Sequence, residues 1–289
     1  MFNLVFAKTY DFAIMTKNNL NHVIEDSFCV DNNIFCVADG ITRELSSGKA
    51  FFYPSTIEEA KYIIANYPNP SGATLASQLC TNNFVKYASE LPQDSITEND
   101  ILEIVKKINK DIKDLNKSKN KKIDYGFNDY FACVAVGGII KENTLYCFAI
   151  CDCRIYLLDE NYNIVFNSAS SSLSLIPYKD SFSFYKLFNL NWNWSNIKYR
   201  KHYRRVIRNN TKRLHQNKYT YGALTGEKSA IPFIKTYKIP LDNVKYVLAF
   251  SDGCDDCLNS KEKIISVLEN PEQIQNEIHE KTLLIYKRD

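Results

Sequence analysis

The chain has 289 residues, 45% of them hydrophobic, and a formal net charge of +3 at pH 7. A chain of this length can bury a large core, and the nearly balanced charge predicts neither a nucleic-acid nor a membrane partner. The longest apolar run, residues 131–140, is too short to span a bilayer. The start of the chain lacks the basic region of a signal peptide, and the nine cysteines lie mostly in apolar stretches. We therefore expect a cytoplasmic protein.

The first ninety residues predict strands followed by helices. After the strands, a loop with glycine and proline leads into two stretches of helical periodicity. The strands are predicted at 3–7, 12–15, 27–31 and 33–38, and the helices at 57–66 and 73–90.

A third helix is predicted to begin after Thr97, which has Asp100 at the spacing of a capping box. Apolar residues then recur at three- and four-residue intervals from Ile101 to Leu115. A helix packed on a sheet has this pattern, and so does a face that binds a partner.

The second half of the sequence predicts further strands joined by short turns, with two helical segments near the end. The predicted strands are 130–140, 143–150, 154–158, 162–167, 232–239, 244–250 and 282–287, and the helices are 260–268 and 271–279. Many antiparallel strands in two groups, with helices between them, predict an α+β fold. We expect a four-layer α-β-β-α sandwich of two antiparallel sheets flanked by helices.

A basic stretch at 198–213 interleaves arginines with tyrosines. The simplest prediction is an amphipathic helix that packs Tyr199, Tyr203, Val206 and Ile207 inward and turns its arginines outward. Recognition of a phosphorylated substrate and binding of nucleic acid remain alternatives.

Three apolar stretches each end in an aspartate. Asp39 precedes the final glycine of NIFCVADG, Asp152 ends LYCFAICD, and Asp252 precedes the final glycine of KYVLAFSDG. Each Asp-Gly pair alone is also typical of a turn. If the strands share one edge, their carboxylates converge there and repel one another unless a cation is present. Oxygen ligands favour Mg²⁺ or Mn²⁺.

The order of these motifs resembles the PPM family, the type 2C metal-dependent serine/threonine protein phosphatases, in its bacterial form. The matching stretches are EDSF (25–28), VADG (37–40), CDCR (151–154), YGALTGE (221–227) and SDG (251–253). The resemblance spans residues 1–289. It implies a single phosphatase-like domain with a variable flap at about 168–220.

The resemblance also implies a site that binds two, and with a looser ion three, Mn²⁺ or Mg²⁺ ions. Asp39 would bridge two ions and, with Asp252, carry the catalysis. A water activated by two metals would hydrolyse phosphoserine or phosphothreonine in a protein substrate. The implied metal-binding residues are Glu25, Asp26, Asp39, Gly40, Asp152, Asp252 and His279.

Three positions depart from the family pattern. His279, with Glu280 beside it, stands where the family has its last metal aspartate, and Cys151 replaces the glycine of the third motif. Asn21 stands where the family has a phosphate-binding arginine, so we assign the substrate phosphate to Arg43, three residues beyond Gly40. A second hypothesis is a catalytically weak PPM-like module that binds phosphoproteins or regulatory partners.

Overall fold

The computed structural model describes residues 1–41, 54, 56–92, 95–119, 122–168, 197–216 and 220–289. Within these residues the chain forms two sheets and a set of helices. The strands, in chain order, are β1 (Phe2–Tyr10), β2 (Ser27–Asp31), β3 (Ile34–Gly40), β4 (Cys133–Lys141), β5 (Thr144–Ile150), β6 (Arg154–Leu158), β7 (Ile164–Asn167), β8 (Lys235–Pro240), β9 (Tyr246–Phe250) and β10 (Lys281–Arg288).

Helices connect these strands and cover the sheets. The α-helices are α1 (Ala13–Lys17), α2 (Ile57–Asn66), α3 (Gly72–Ser89), α4 (Glu98–Lys119), α5 (Ile197–His202), α6 (Thr211–His215) and α7 (Lys261–Glu269). Shorter helical segments are a π-helical turn at Tyr203–Ile207 and 3₁₀ segments at Lys228–Phe233, Asp252–Cys257 and Pro271–Asn276. No helix in the described ranges has the length and apolar character needed to cross a membrane.

The two sheets each contain five strands, and all paired strands are antiparallel. The first sheet has the order β2-β3-β4-β5-β8, and the second has the order β1-β10-β9-β6-β7. Side chains from both sheets form one shared core between them. The predicted α-β-β-α sandwich is therefore confirmed.

The surroundings of β3 explain why the sequence of this strand is apolar from Ile34 to Ala38. Phe35 and Val37 pack into the core between the sheets, whereas Ile34, Cys36 and Ala38 pack against the helices on the outer face. A strand buried on both faces has no polar side to alternate with its apolar one. Asp39 continues the alternation and lies on the inner face.

The outer layers are also built from apolar faces. Helices α3 and α4 cover the first sheet, and the stripe of α4, including Ile101, Val105, Ile108 and Ile112, is fully buried there. This confirms a helix laid on a sheet. On the other side, α7 contributes Ile264 to the core that covers the outer face of the second sheet.

Two predicted segments at the surface of the sandwich were wrong. Residues 13–15 belong to α1, and Phe12 is its N-cap, whose carbonyl accepts a hydrogen bond from the amide of Thr16 at 3.0 Å. The partner of β1 is β10 instead. The helix predicted at 271–279 is a 3₁₀ segment that ends at Asn276. Local sequence does not reveal a pairing with the far end of the chain.

The orientation of the basic stretch was predicted only in part. Ile207 is buried and Tyr203 packs against the core as expected, and the side chain of Tyr199 lies outside the described ones. Arg200, Arg204 and Arg208 are buried, while Val206 is exposed. Asp129 explains the difference, since it accepts two hydrogen bonds from Arg208, both 2.7 Å long, and lies 3.1 Å from Nε of Arg204. The buried carboxylate of Asp129, which is distant in sequence, therefore holds Arg204 and Arg208 in the interior instead of at the surface.

Candidate metal centre

Antiparallel pairing brings the acidic motifs to common edges. In the first sheet, Ser27 pairs with Ala38, so Asp26 before β2 lies near Asp39 at the end of β3. In the second sheet, the amide of Ser251 donates to the carbonyl of Thr282 at 3.1 Å. The start of β10 therefore lies beside the end of β9.

A cavity of about 350 Å³ opens where these edges meet. Seven of its lining residues are acidic and two are histidines, and none of the described lining residues is lysine or arginine. Apolar and aromatic side chains complete the wall. The cavity is lined by Phe12, His22, Glu25, Asp26, Asp39, Gly40, Ile41, Ile63, Tyr67, Asp252, Gly253, Asp255, Asp256, His279 and Glu280.

The structure places most of the sequence-predicted residues in this wall. Asp152 is not among the lining residues, although its charge contributes to the raised pKa values of both Asp39 and Asp252. Arg43 lies outside the described residues. The predicted residues that line the cavity are Glu25, Asp26, Asp39, Gly40, Asp252 and His279.

Hydrogen bonds fix the two carboxylates that precede β2. Oε1 of Glu25 accepts a hydrogen bond from the Tyr67 hydroxyl at 2.7 Å and another from the Ser71 hydroxyl. Oδ2 of Asp26 accepts one from the Ser251 hydroxyl at 2.5 Å. Because donors favour the charged form of a carboxylate, these contacts prepare both groups to bind a cation.

Two glycines allow backbone segments to approach closely at the site. A Cβ atom at Gly40 would lie 2.7 Å from the carbonyl oxygen of Ala73 and 2.8 Å from that of Glu25. At Gly253 it would lie 1.9 Å from the carbonyl oxygen of Glu280. The Asp-Gly pairs thus serve close packing at the site, because only glycine leaves the backbone free of a side chain.

The crowding of carboxylates raises their pKa values. Burial, followed by the charges of Asp26 and Asp252, holds the pKa of Asp39 well above its ordinary value. Burial, then the charges of Asp152 and Asp26, raises the pKa of Asp252 to about 8. Divalent cations would supply the positive charge that the described wall lacks, and the carboxylate oxygens fit Mg²⁺ or Mn²⁺.

His279 also has the electrostatics of a possible ligand. Burial lowers the pKa of its imidazole, against the opposing influence of Asp256. The neutral form of histidine binds metals, and Mn²⁺ accepts imidazole more readily than Mg²⁺ does.

The metal-free protein is expected to lose stability as the pH rises. The pKa of Asp252 is about 8 in the folded chain and 3.8 ordinarily, so folding favours its protonated form. This contribution is complete below the unfolded pKa and is lost as the pH rises through the folded one. Thermal melting in chelator should therefore give a lower Tm at about pH 8.5 than at about pH 5, and Mn²⁺ should reduce the difference.

Two variants control this experiment. Asp252→Asn should shrink the pH-dependent difference in Tm, and Asp31→Asn should not, because Asp31 is exposed at the opposite end of β2. Equal Tm values at both pH values in chelator would contradict mutual repulsion in the cavity.

Sequence reasoning missed several residues of the site. Asn21, the counterpart of the family arginine, is exposed, whereas its neighbour His22 lines the cavity. Asp255 lies three residues after Asp252 and could have been found by extending that motif. Tyr67 comes from the loop between α2 and α3, and nothing in its local sequence indicates a role.

Comparison with solved structures identifies the fold. The serine/threonine phosphatase PstP/Ppp of Mycobacterium tuberculosis matches with a TM-score of 0.61 and 14% identity, over 100% of this chain and 99% of that chain. Stp1 of Staphylococcus aureus matches with a TM-score of 0.58 and 13% identity, over 100% and 94%. The catalytic domain of PstP in complex with two manganese ions matches with a TM-score of 0.56 and 13% identity, over 99% and 97%.

No protein-family model matches the sequence, and no curated protein matches it significantly. The chain nevertheless has the fold of the bacterial PPM-type serine/threonine phosphatases. The resemblance seen in the sequence is confirmed at the level of the fold.

Proposed function

We propose that the protein is a metal-dependent phosphatase that hydrolyses phosphoserine and phosphothreonine in protein substrates. The observation that carries the proposal is the acidic cavity, in which Asp39 from one sheet and Asp252 from the other share a wall. The fold, which it shares with PstP and Stp1, supports the same conclusion.

The proposed roles follow the positions of the residues. Asp39, at the inner end of β3, would hold both ions, with Asp252 contributing from the end of β9. When bound, two Mn²⁺ or Mg²⁺ ions supply an activated water and offset the charge that develops on the phosphoryl group. The residues proposed to hold two ions, and with Asp152 a third, are Glu25, Asp26, Asp39, Gly40, Asp152, Asp252 and His279.

The hydrogen bonds in the wall give these residues fixed positions. Tyr67 and Ser71 hold the Glu25 carboxyl, and Ser251 holds Asp26. Ile41 and Ile63 give the wall an apolar part. Such preorganisation lowers the cost of reaching the transition state.

Recognition of the substrate phosphate needs a cation beyond the metals. Arginine suits this role because its guanidinium group matches a phosphate with two parallel hydrogen bonds. Arg43 remains our proposal for this role. Arg204 and Arg208 are buried against Asp129, so they are poor candidates for recruiting substrate, whereas Arg205 is exposed.

All nine cysteines are free thiols, which supports a cytoplasmic setting.

A second candidate function is a weak or inactive module that binds phosphoproteins or regulatory partners. His279 at the position of a family metal aspartate and the exposed Asn21 at that of its arginine favour it. Loss of the arginine would weaken the orientation of a phosphate more than the binding of metals.

Phosphate release from a phosphoserine peptide distinguishes the two functions. We expect turnover with Mn²⁺ that exceeds turnover with Mg²⁺ and stops in chelator, because an imidazole ligand suits Mn²⁺ better. Peptide binding without phosphate release in either metal would reject the enzyme and favour the module. Peptides carrying phosphothreonine and unmodified serine serve as comparison substrates.

A further inference from the structure

Three side chains beside the main cavity place potential ligand atoms together. One atom each from Asp11, His22 and Glu280 lies within 4.8 Å of the other two. We propose that these residues form a separate binding site for a divalent transition-metal ion, next to the centre built on Asp39 and Asp252.

The first two ligands are held in position by their surroundings. A ring nitrogen of His22, Nδ1, lies 3.2 Å from Oδ1 of Asp11, and the backbone amide of Phe12 donates to the same oxygen at 2.7 Å. The imidazole packs between the rings of Phe12 and Tyr67, at centroid distances of 5.5 and 6.2 Å. A metal ion could therefore bind without much reordering of these side chains.

The side chains of His22 and Asp11 are more buried than those of a typical hydrogen bond at the protein surface. The side chains of His22 and Asp11 are only 7% and 11% exposed. Nδ1 of His22 and Oδ1 of Asp11 are 3.2 Å apart, a separation that two ligand atoms of one metal ion can have, so the ion would take the place of the proton that they share. His22 also lines the cavity, so an ion can reach it from solvent.

Glu280 supplies the third ligand and connects the two centres. Its Oε1 accepts hydrogen bonds from the backbone amides of Glu25 and Asp26. The amino group of Lys281, the next residue, instead donates to the carbonyl of Glu277. A metal ion bound to the carboxylates of Glu280 and Asp11 would also steady the backbone that carries Glu25 and Asp26.

The donor set indicates the class of ion. One imidazole and two carboxylates suit Mn²⁺, Fe²⁺ or Zn²⁺, with waters completing the coordination, better than they suit Mg²⁺. The ligands come from two loops around α1 and from the residue before β10, so no sequence motif would reveal them. Binding of this ion does not require turnover at the main centre.

Equilibrium dialysis of the full chain against Mn²⁺ alone tests the site. We expect His22→Gln and Asp11→Asn each to bind one ion fewer per chain than the wild type. His215→Gln should bind as many as the wild type, because His215 is an exposed histidine far from the cavity wall in sequence. Melting curves in chelator establish that each variant is folded.

Pulsed electron paramagnetic resonance of the bound Mn²⁺ adds a readout of nitrogen ligation. A nitrogen coupling that persists in His279→Ala and disappears in the double variant His279→Ala/His22→Gln supports the proposal, because both histidines line the cavity and His279 is itself a proposed ligand of the main centre. Unchanged ion counts in both His22→Gln and Asp11→Asn would overturn it and leave a hydrogen-bonded group without a metal. Failure of phosphatase activity would reject the proposed function alone, since the measured quantity here is bound Mn²⁺.

Discussion

Asp39→Asn is expected to lower kcat/KM for a phosphoserine peptide by about a thousandfold at saturating Mn²⁺. The proposed bridging carboxylate organises both ions, and loss of about 4 kcal/mol of transition-state stabilisation corresponds to that factor. Initial rates of phosphate release measure the effect. The metal-free variant should fold at least as stably as the wild type, because burial and the charges of Asp26 and Asp252 oppose ionisation of Asp39.

Asp31→Asn is the matched control for this variant. Asp31 ends β2 at the far end of the same hairpin, where it is exposed and accepts a hydrogen bond from Asn32. It should keep the wild-type rate. Full activity in Asp39→Asn with Mn²⁺ would reject the assignment of Asp39 as a metal bridge.

The fold was largely predictable because its strands carry strong local signals. The alternating residues of β3 enter two different cores, so the sequence from Ile34 to Ala38 is apolar on both faces. The apolar stripe of α4 is an equally strong local signal. The prediction of a strand at 12–15 was wrong because the end of the first strand is decided by the pairing between β1 and β10, which lie at opposite ends of the chain.

The candidate site was predictable where a ligand ends a strand. Asp39 and Asp252 each follow an apolar run and precede a glycine, and the glycines are needed for close backbone contacts. His22 and Glu280 carry no such local pattern. Glu280 reaches the amides of Glu25 and Asp26 only because β10 begins beside the end of β9.

The basic stretch shows a further limit of periodicity. A helical pattern indicates which residues share a face but not which face is buried when both contain tyrosine and arginine. Here Asp129 decides the outcome by pairing with Arg208 and Arg204 in the interior. Asn209 adds an anchor, since its side-chain amide donates to the carbonyl of Ala223 at 3.0 Å.

This buried ion pair gives the second large expected effect. Burial alone would raise the pKa of Asp129, but Arg208 and Arg204 outweigh burial and hold that pKa below its ordinary value. The carboxylate is therefore charged in the folded chain. Its removal would leave two guanidinium groups buried without this partner, and water cannot replace it easily at side-chain exposures of 4% or less.

Asp129→Asn is accordingly expected to lower the free energy of unfolding by about 3–5 kcal/mol, measured by urea denaturation. Asp114→Asn is the control, because its pair with Lys117 is exposed and such pairs contribute at most about 1 kcal/mol. The double variant Asp129→Asn/Arg208→Gln should recover part of the loss, since it also removes one unpaired charge. A change below about 1 kcal/mol in Asp129→Asn would show that the arginines are not held by this carboxylate.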